Sequence, residues 1–260
     1  MSENGVDLVI VHYNTPLFLR SCLESLYSNP CRLLRQVVVL DNASPDRNIE
    51  VVADEFPQVE FRHHRNNLGF AAACNEGIRS TRAPYCLILN PDTLITGHAI
   101  ETMLETMTGH DDAGIVAPRL MNTDGSLQMS CRRYPTLLAV FLRAVRLERL
   151  FPGPVDDYLM RDWDHAENCR VDWVIGACML LRRTALEEIG LLDEGFFMYY
   201  EDTDVCRRLT DAGWSVYYEP TALVGHEHRR ESARLFPGRS TCAHLCSLVR
   251  LFRKHRLALW

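Results

Sequence analysis

The sequence predicts an α/β protein with a mainly parallel central sheet flanked by helices. Three observations carry this. Strand-like and helix-like segments alternate through the first half of the chain. The runs LVIV (8–11), VVVL (37–40) and CLIL (86–89) are continuously apolar, as strands buried on both faces must be. Polar residues gather directly after these runs, where an open sheet of this class binds ligands.

The elements follow in order. VDLVIVHYN (6–14) reads as a strand and PLFLRSCLESLYS (16–28) as a helix with apolar spacing near 3.6. QVVVLDN (36–42) is a strand, and NIEVVADEF (48–56) a helix ending before Pro57. VEFRHH (59–64), FAAACNEGIRS (70–80), YCLILN (85–90), HAIETMLETMT (98–108) and AGIVAPRL (113–120) continue the alternation. The second half is less regular. Residues 125–154 start polar and become a helix in which Leu137, Leu138, Phe141, Leu142, Val145 and Leu150 alternate with Arg143, Arg146 and Arg149. Such a helix could lie on a membrane surface or pack on the domain. VDWVIGACMLLRR (171–183) reads as a strand, TALEEIG (184–190) as a short helix, and EDTDVCRRLTDAG (201–213) as a helix closed by Gly213. WSVYYEP (214–220) and ALVGH (222–226) read as strands, and HLCSLVRLFRKH (244–255) as a terminal helix. One α/β domain over 1–228 with a basic helical tail over 229–260 is the simplest account.

With 47% hydrophobic and 24% charged residues in 260, the composition is that of an ordinary globular protein. No apolar run approaches the roughly 20 residues of a membrane span, and the N-terminus lacks a basic signal-peptide region. Ten scattered cysteines with no CxxC point to free thiols and a cytoplasmic location. Cys242 and Cys246, flanking His244, read as a helix face rather than a metal cluster. The net charge of −6 hides an asymmetry: Arg229 to Arg256 holds eight Lys/Arg against Glu231, leaving 20 basic against 33 acidic residues elsewhere. Such a tail suits an anionic partner, such as the inner face of the cell membrane or a lipid phosphate, or is a solvated helix face. Nucleic acid is not expected, because no aromatic stacking platform accompanies the arginines.

The polar residues after the strands are His12-Tyr13-Asn14, Asp41-Asn42-Ala43-Ser44, Asn66-Asn67-Leu68-Gly69 and Asn90-Pro91-Asp92. Ser44 and Thr93 are good helix N-caps, but capping explains four such clusters at one edge poorly. There is neither a P-loop nor a GxGxxG. The loop and helix start at 66–70 could offer amides to a phosphate. Asp41 could accept hydrogen bonds from a base or ribose, and Asp92 could hold a divalent cation that neutralises a diphosphate. Together these describe a nucleotide-linked substrate.

The segments IVHYN, VVVLDNAS, NNLGFAAACNEGI, LILNPDT, VDWVIGACMLLRR and FFMYYEDTDVCRRLTDAGWSVYYEP resemble, in order and spacing, the family 2 inverting glycosyltransferases, and most of all their bacterial rhamnosyltransferase branch. The resemblance implies a GT-A fold with a nucleotide-sugar half (1–96) and an acceptor half (97–228). It implies that Asp41 contacts a pyrimidine base and that Tyr13, Asn14, Asn67 and Gly69 line the nucleotide pocket. Asn90-Pro91-Asp92 stands where the family has DxD, leaving Asp92 as the strong ligand for Mg²⁺ or Mn²⁺. Glu201-Asp202 matches the family's ED pair, with Asp202 as general base; without the resemblance, helix N-capping would explain both residues. A carboxylate at a helix N-terminus is held in its charged form by the dipole, which makes it a weaker base. Asp204, one turn on, reads as structural. Gly176 and Ala177 would let donor sugar and acceptor approach the backbone. His226 matches a histidine that completes the metal site in some relatives, with His228 as rival. Arg229 and Arg230 could bind diphosphate oxygens.

The function expected is therefore inverting transfer of a sugar in cell-surface polysaccharide synthesis. The favoured donor is dTDP-L-rhamnose, ahead of UDP- or GDP-sugars, and the acceptor a glycan or a polyprenyl-diphosphate-linked sugar. The competing expectations are a non-catalytic nucleotide-sugar binding protein and an adaptor docking through the basic tail.

Overall fold

The computed structural model describes residues 4–45, 48–227 and 239–256. In chain order the elements are β1 (Val6–His12), α1 (Pro16–Ser28), β2 (Leu34–Asp41), α2 (Ile49–Glu55), β3 (Glu60–His63), α3 (Phe70–Ser80), β4 (Tyr85–Leu89), β5 (Thr93–Leu94), α4 (Gly97–Gly109), β6 (Ala113–Met121), β7 (Cys131–Arg132), α5 (Leu137–Ala144), α6 (Pro152–Leu159), β8 (Cys169–Val171), β9 (Trp173–Val174), β10 (Cys178–Arg182), α7 (Arg183–Ile189), α8 (Glu201–Asp211), β11 (Ser215–His226) and α9 (Arg239–His255). The main sheet runs β3-β2-β1-β4-β10-β6-β11-β5, with β8 beside β11, and β7 pairs β9 in a small ribbon.

The apolar runs behave as two-sided strands. On β1, Leu8 and Ile10 join the core on one face of the sheet, and Val9 and Val11 join the core on the other. α1 and α4 contribute Leu19, Leu23, Ile100 and Met103 to the first core; α3, α7 and α8 contribute Ala73, Ile78, Leu186 and Val205 to the second. α3 lies so close that a Cβ on Gly77 would stand 2.4 Å from Val9 Cγ1.

The sheet is parallel except at β10 and at the short β5 and β8, which pair antiparallel with β11; sequence patterning is blind to direction. β10 pairs antiparallel with β4 and β6, so it runs against β1–β4, β6 and β11. The expected strand over 171–183 is broken into β8, β9 and β10, because the chain bends at Asp172 and turns at Gly176–Ala177. The reversal brings the start of β10 to the carboxyl edge of the parallel strands. At the opposite edge, Arg182 and Arg183 serve different helices. Arg182 donates to the carbonyls of Met107 and His110 (2.6 and 3.0 Å) near the end of α4. Arg183 donates to that of Ile78 (3.1 Å) near the end of α3. Both place a cation at a negative helix terminus.

Three further expectations are corrected. The arginine-bearing helix stops at Ala144, since Arg146 takes φ +58°, and α6 begins only at Pro152. The two strands expected over 214–226 form one, β11, with an irregularity between Glu219 and Leu223. Thr93 caps no helix but pairs with His226 in β5; Thr96 caps α4 by accepting from Ala99 N at 3.3 Å.

Asp7, missed in the sequence, locks β1 at the edge opposite the polar clusters. Its buried Oδ2 accepts from Arg82 N (2.8 Å) and Ala83 N (2.6 Å). Asp7→Ala would leave these amides unpaired and is expected to destabilise the fold by about 2–4 kcal/mol. Urea denaturation would read this as a lower midpoint with unchanged slope.

The terminal helix is bound to the body by its own charges. Arg250 donates to Asp193 (2.9 Å), Lys254 to Asp193 and Asp204 (2.6 and 2.7 Å), and His255 meets Asp204 at 2.7 Å. Asp204 is fully buried and also accepts from Arg208 Nε at 2.8 Å. Part of the basic tail thus faces the protein's own carboxylates rather than an outside partner.

Candidate active site

The carboxyl ends of β1, β2 and β4 and the turn into β10 meet at one edge. Asp41, 6% exposed at the end of β2, accepts from Ser44 N (3.2 Å) and faces His63 Nδ1 (3.3 Å). Ser44 caps no helix: its Oγ accepts from Asn14 N at 2.7 Å, and Asn14 sits at φ +53°. Tyr13 beside it is 50% exposed. His12 is buried at the end of β1 and its Nδ1 lies 3.2 Å from Thr15 Oγ1. Burial pulls its pKa down to about 4, against the pull of Asp41, so it is neutral at pH 7.

Asn42 is a residue that the sequence did not single out for any one role. Its Nδ2 donates to Asn67 Oδ1 and Gly69 O (both 3.1 Å), and its Oδ1 accepts from Leu68 N (2.8 Å). It clamps the loop that enters α3. Asn67 Oδ1 also accepts from Gly69 N (2.9 Å), so that oxygen is turned toward the scaffold. Gly69 has φ +83°, and a Cβ there would stand 2.5 Å from the Phe197 carbonyl, the group that accepts from Phe70 N at 2.7 Å. Only glycine fits this approach.

Asn90 N donates to the Ala177 carbonyl at 2.8 Å, tying the turn after β4 to the turn before β10. Asp92 is then brought to β11: its carbonyl accepts from Glu227 N (2.9 Å), and its Oδ1 lies 3.4 Å from His226 Nε2. That Oδ1 is buried with no hydrogen-bond partner among the described residues. His226 Nδ1 meets Gln128 Oε1 at 2.7 Å. The amide oxygen can only accept, so Nδ1 carries a proton and Nε2 is the ring nitrogen that faces Asp92. A carboxylate oxygen and an imidazole nitrogen side by side are a donor set that fits a divalent cation. Among the described residues no group of three His, Cys, Asp or Glu side chains forms a metal cluster. His228, Arg229 and Arg230 lie outside the described residues.

Glu201 and Asp202 open α8. The chain enters through Tyr199 and Tyr200, both left-handed at φ +70° and +65°, a conformation costing on the order of 1–2 kcal/mol per residue. α9 braces them: the His244 ring lies 5.3 and 5.0 Å from the two tyrosine rings, and Ser247 Oγ donates to the Met198 carbonyl (2.9 Å). Asp202 Oδ2 accepts from Gly176 N at 3.0 Å and Oδ1 from Thr203 N at 2.7 Å. A Cβ on Gly176 would stand 3.3 Å from Asp202 Cβ. Through Gly176, Ala177 and Asn90, Asp202 is linked to the turn that carries Asp92.

Burial raises the proton affinity of both carboxyls. For Asp202 it outweighs the hydrogen bonds from Gly176 and Thr203. For Glu201, whose Oε2 is buried without a hydrogen-bond partner among the described residues, burial and then the charge of Asp202 push it up to about 8. The expectation that the helix dipole dominates is therefore corrected: desolvation wins. Because the folded state holds the Glu201 proton more tightly, this residue's stabilising contribution is complete below about pH 4.5 and is lost as pH rises towards 8. Glu201→Gln is expected to be about 4 kcal/mol more stable relative to wild type at pH 9 than at pH 5; thermal denaturation at both pH values checks it.

A cavity of about 460 Å³ between α1 and α2, lined by Leu17, Arg20, Val51 and Glu55, touches this edge only near Asn14 and Thr15.

Comparison with known proteins gives a consistent picture. The model of the family "Glycosyl transferase family 2" matches residues 7–190. An N-acetylglucosaminyl-diphospho-decaprenol L-rhamnosyltransferase of Mycobacterium tuberculosis is 30% identical, over 93% of this chain and 80% of the relative. Rhamnosyltransferase WbbL of Escherichia coli (strain K12) is 26% identical, over 97% and 94%. The crystal structure of GalNAc-T7 with UDP, GalNAc and Mn2+ superposes with a TM-score of 0.71 at 17% identity, covering 96% of this chain and 47% of that one; that likeness is one of fold, the GT-A fold.

Proposed function

The chain belongs to glycosyl transferase family 2, and from that premise we propose that it is an inverting rhamnosyltransferase using a dTDP-L-rhamnose-type donor. The acceptor proposed is a glycan or a sugar carried on a polyprenyl diphosphate, as the printed name of the mycobacterial relative suggests. The observation that supports the reading is the meeting at one sheet edge of Asp41, the Asp92–His226 pair and the buried Glu201–Asp202 pair.

In this reading Asp41 accepts from the pyrimidine of the donor, with Tyr13, Asn14, Asn67 and Gly69 around the nucleotide. Asp92 and His226 would hold Mg²⁺ or Mn²⁺, which when bound neutralises charge on the donor diphosphate. Gly176 leaves room beside Asp202 for sugar and acceptor hydroxyl. Asp202 takes the acceptor's proton as its oxygen attacks the anomeric carbon from the face opposite the diphosphate. A desolvated carboxylate is a stronger base than a solvated one, and the hydrogen bonds from Gly176 and Thr203 fix its direction. Glu201, protonated at neutral pH, keeps a second negative charge away from the first. No helix among the described residues is long and apolar enough to cross a membrane; contact with a lipid-linked acceptor would be peripheral, at the cytoplasmic face.

The test is incubation of the purified protein with dTDP-, UDP- and GDP-sugars, Mn²⁺ and an N-acetylglucosamine diphospholipid, with product configuration read by NMR. Transfer of rhamnose with inversion is expected. Retention, or transfer from none of the donors, would overturn the proposal.

A further inference from the structure

We propose that Arg132 and Arg143 form a second diphosphate subsite, one that holds the diphosphate of a lipid-linked acceptor while the exposed face of α5 receives the start of its isoprenoid chain. This rests on the transferase reading above and adds the acceptor's binding groups to it.

Arg132 lies on β7, paired with Trp173 of β9. Two residues before it, the Ser130 carbonyl accepts from Ile175 N at 3.0 Å, and the next amide, Gly176 N, is the one that holds Asp202. The ribbon carrying Arg132 is thus stitched to the segment that aims the base. Arg143 reaches the same region from α5: its Cζ stands 5.7 Å from the ring centroid of Tyr158. The charges around the buried Tyr158 hydroxyl are Arg132 and Arg143 on one side of the balance and Asp202 on the other. Two guanidinium groups therefore share one tyrosine next to the proposed base.

Their own anions compensate them only in part. Arg132 donates from Nη1 to the Cys131 carbonyl (2.8 Å) and makes no ion pair among the described residues. Arg143 has Glu148, at 3.9 Å, as its one ion-pair partner among the described residues. Burial lowers the Arg132 pKa and the neighbouring Arg143 adds to the effect, while Tyr158 and Asp202 pull against it without cancelling it. A largely buried cation beside a second cation calls for an anion to complete it, and guanidinium forks match phosphate oxygens. The ligand's other end is indicated by α5, where Leu137, Leu138, Phe141 and Val145 are 42%, 38%, 58% and 44% exposed. α5 thus carries one cation of the pair and, on another side, an exposed apolar strip, which suits a molecule that is charged at one end and isoprenoid at the other. A sugar nucleotide, polar at both ends, does not use that face.

The probe is farnesyl diphosphate, titrated calorimetrically into the full chain saturated with dTDP and Mn²⁺. Wild type should bind it, and farnesol should bind far more weakly. Arg143→Ala, on the surface of α5, and Arg132→Lys should each weaken it on the order of tenfold while leaving dTDP affinity unchanged. Farnesyl diphosphate displacing dTDP would place its diphosphate in the donor site and overturn the proposal. Affinity within twofold of wild type in both variants, with folding confirmed by circular dichroism, would overturn it too. Failure of wild type to bind dTDP would instead count against the donor reading, and the farnesyl diphosphate titration of the unsaturated chain would still decide this one.

Discussion

Asp202→Asn is expected to lower kcat by about 10³-fold, within the range for loss of a positioned general base, while donor affinity stays within a few-fold of wild type. The amide keeps the volume, and its one oxygen can still accept from Gly176 N or Thr203 N, one of the two bonds that hold the carboxylate at 3.0 and 2.7 Å. It cannot take a proton. Loss confined to kcat therefore separates base chemistry from binding. Glu201→Gln should be much milder, because the neutral amide imitates the protonated acid that burial favours. Steady-state kinetics with varied donor and acceptor checks both variants. Full turnover in Asp202→Asn would remove the residue from the role given to it.

The second large effect is expected at the cation pair. Asp92→Ala removes the carboxylate whose Oδ1 is buried without a hydrogen-bond partner among the described residues, and should reduce kcat/KM by on the order of 10³-fold at saturating Mn²⁺. His226→Ala should cost less and shift the Mn²⁺ activation midpoint upward, since a carboxylate remains to hold the ion. Gln128→Ala, which frees His226 Nδ1 from its 2.7 Å partner, should shift that midpoint in the same direction by a smaller factor, as loss of an outer-shell partner does. Fold stability should change little in Asp92→Ala, because among the described residues its side chain has only the 3.4 Å contact with His226 to lose. That contrasts with Asp7→Ala at the opposite edge.

Much of the fold could be read from local pattern. α1 and α3 begin and end where apolar spacing and turn residues placed them, at Pro16–Ser28 and Phe70–Ser80. Direction could not be read: the apolar run over Cys178–Arg182 suits either orientation, and only the sheet decides that β10 runs against β4. The helix over 137–150 kept its apolar spacing on paper but breaks at a left-handed Arg146. Alternation of apolar and basic residues says nothing about a single φ. The polar clusters at strand ends pointed to the right edge because that edge follows from chain topology. Their roles divided on long-range contacts that no short motif contains. Asn42 clamps a loop 25 residues away, Gln128 orients a histidine 98 residues away, and Asp193 and Asp204 bind cations of the terminal helix 57 and 50 residues on. The last of these changes the reading of the basic tail, whose charges are partly matched within the molecule.

The account stands on Asp41, Asp92 and Asp202 serving one bound sugar nucleotide in three separate ways. Calorimetric titration of dTDP, with and without Mn²⁺, into wild type and the three single variants tests this most directly. Wild type and Asp202→Asn should gain at least about tenfold in dTDP affinity on adding Mn²⁺. Asp92→Ala should lose that gain while keeping its metal-free affinity, and Asp41→Ala should bind weakly with or without the ion. An undiminished Mn²⁺ gain in Asp92→Ala, or wild-type affinity in Asp41→Ala, would contradict it.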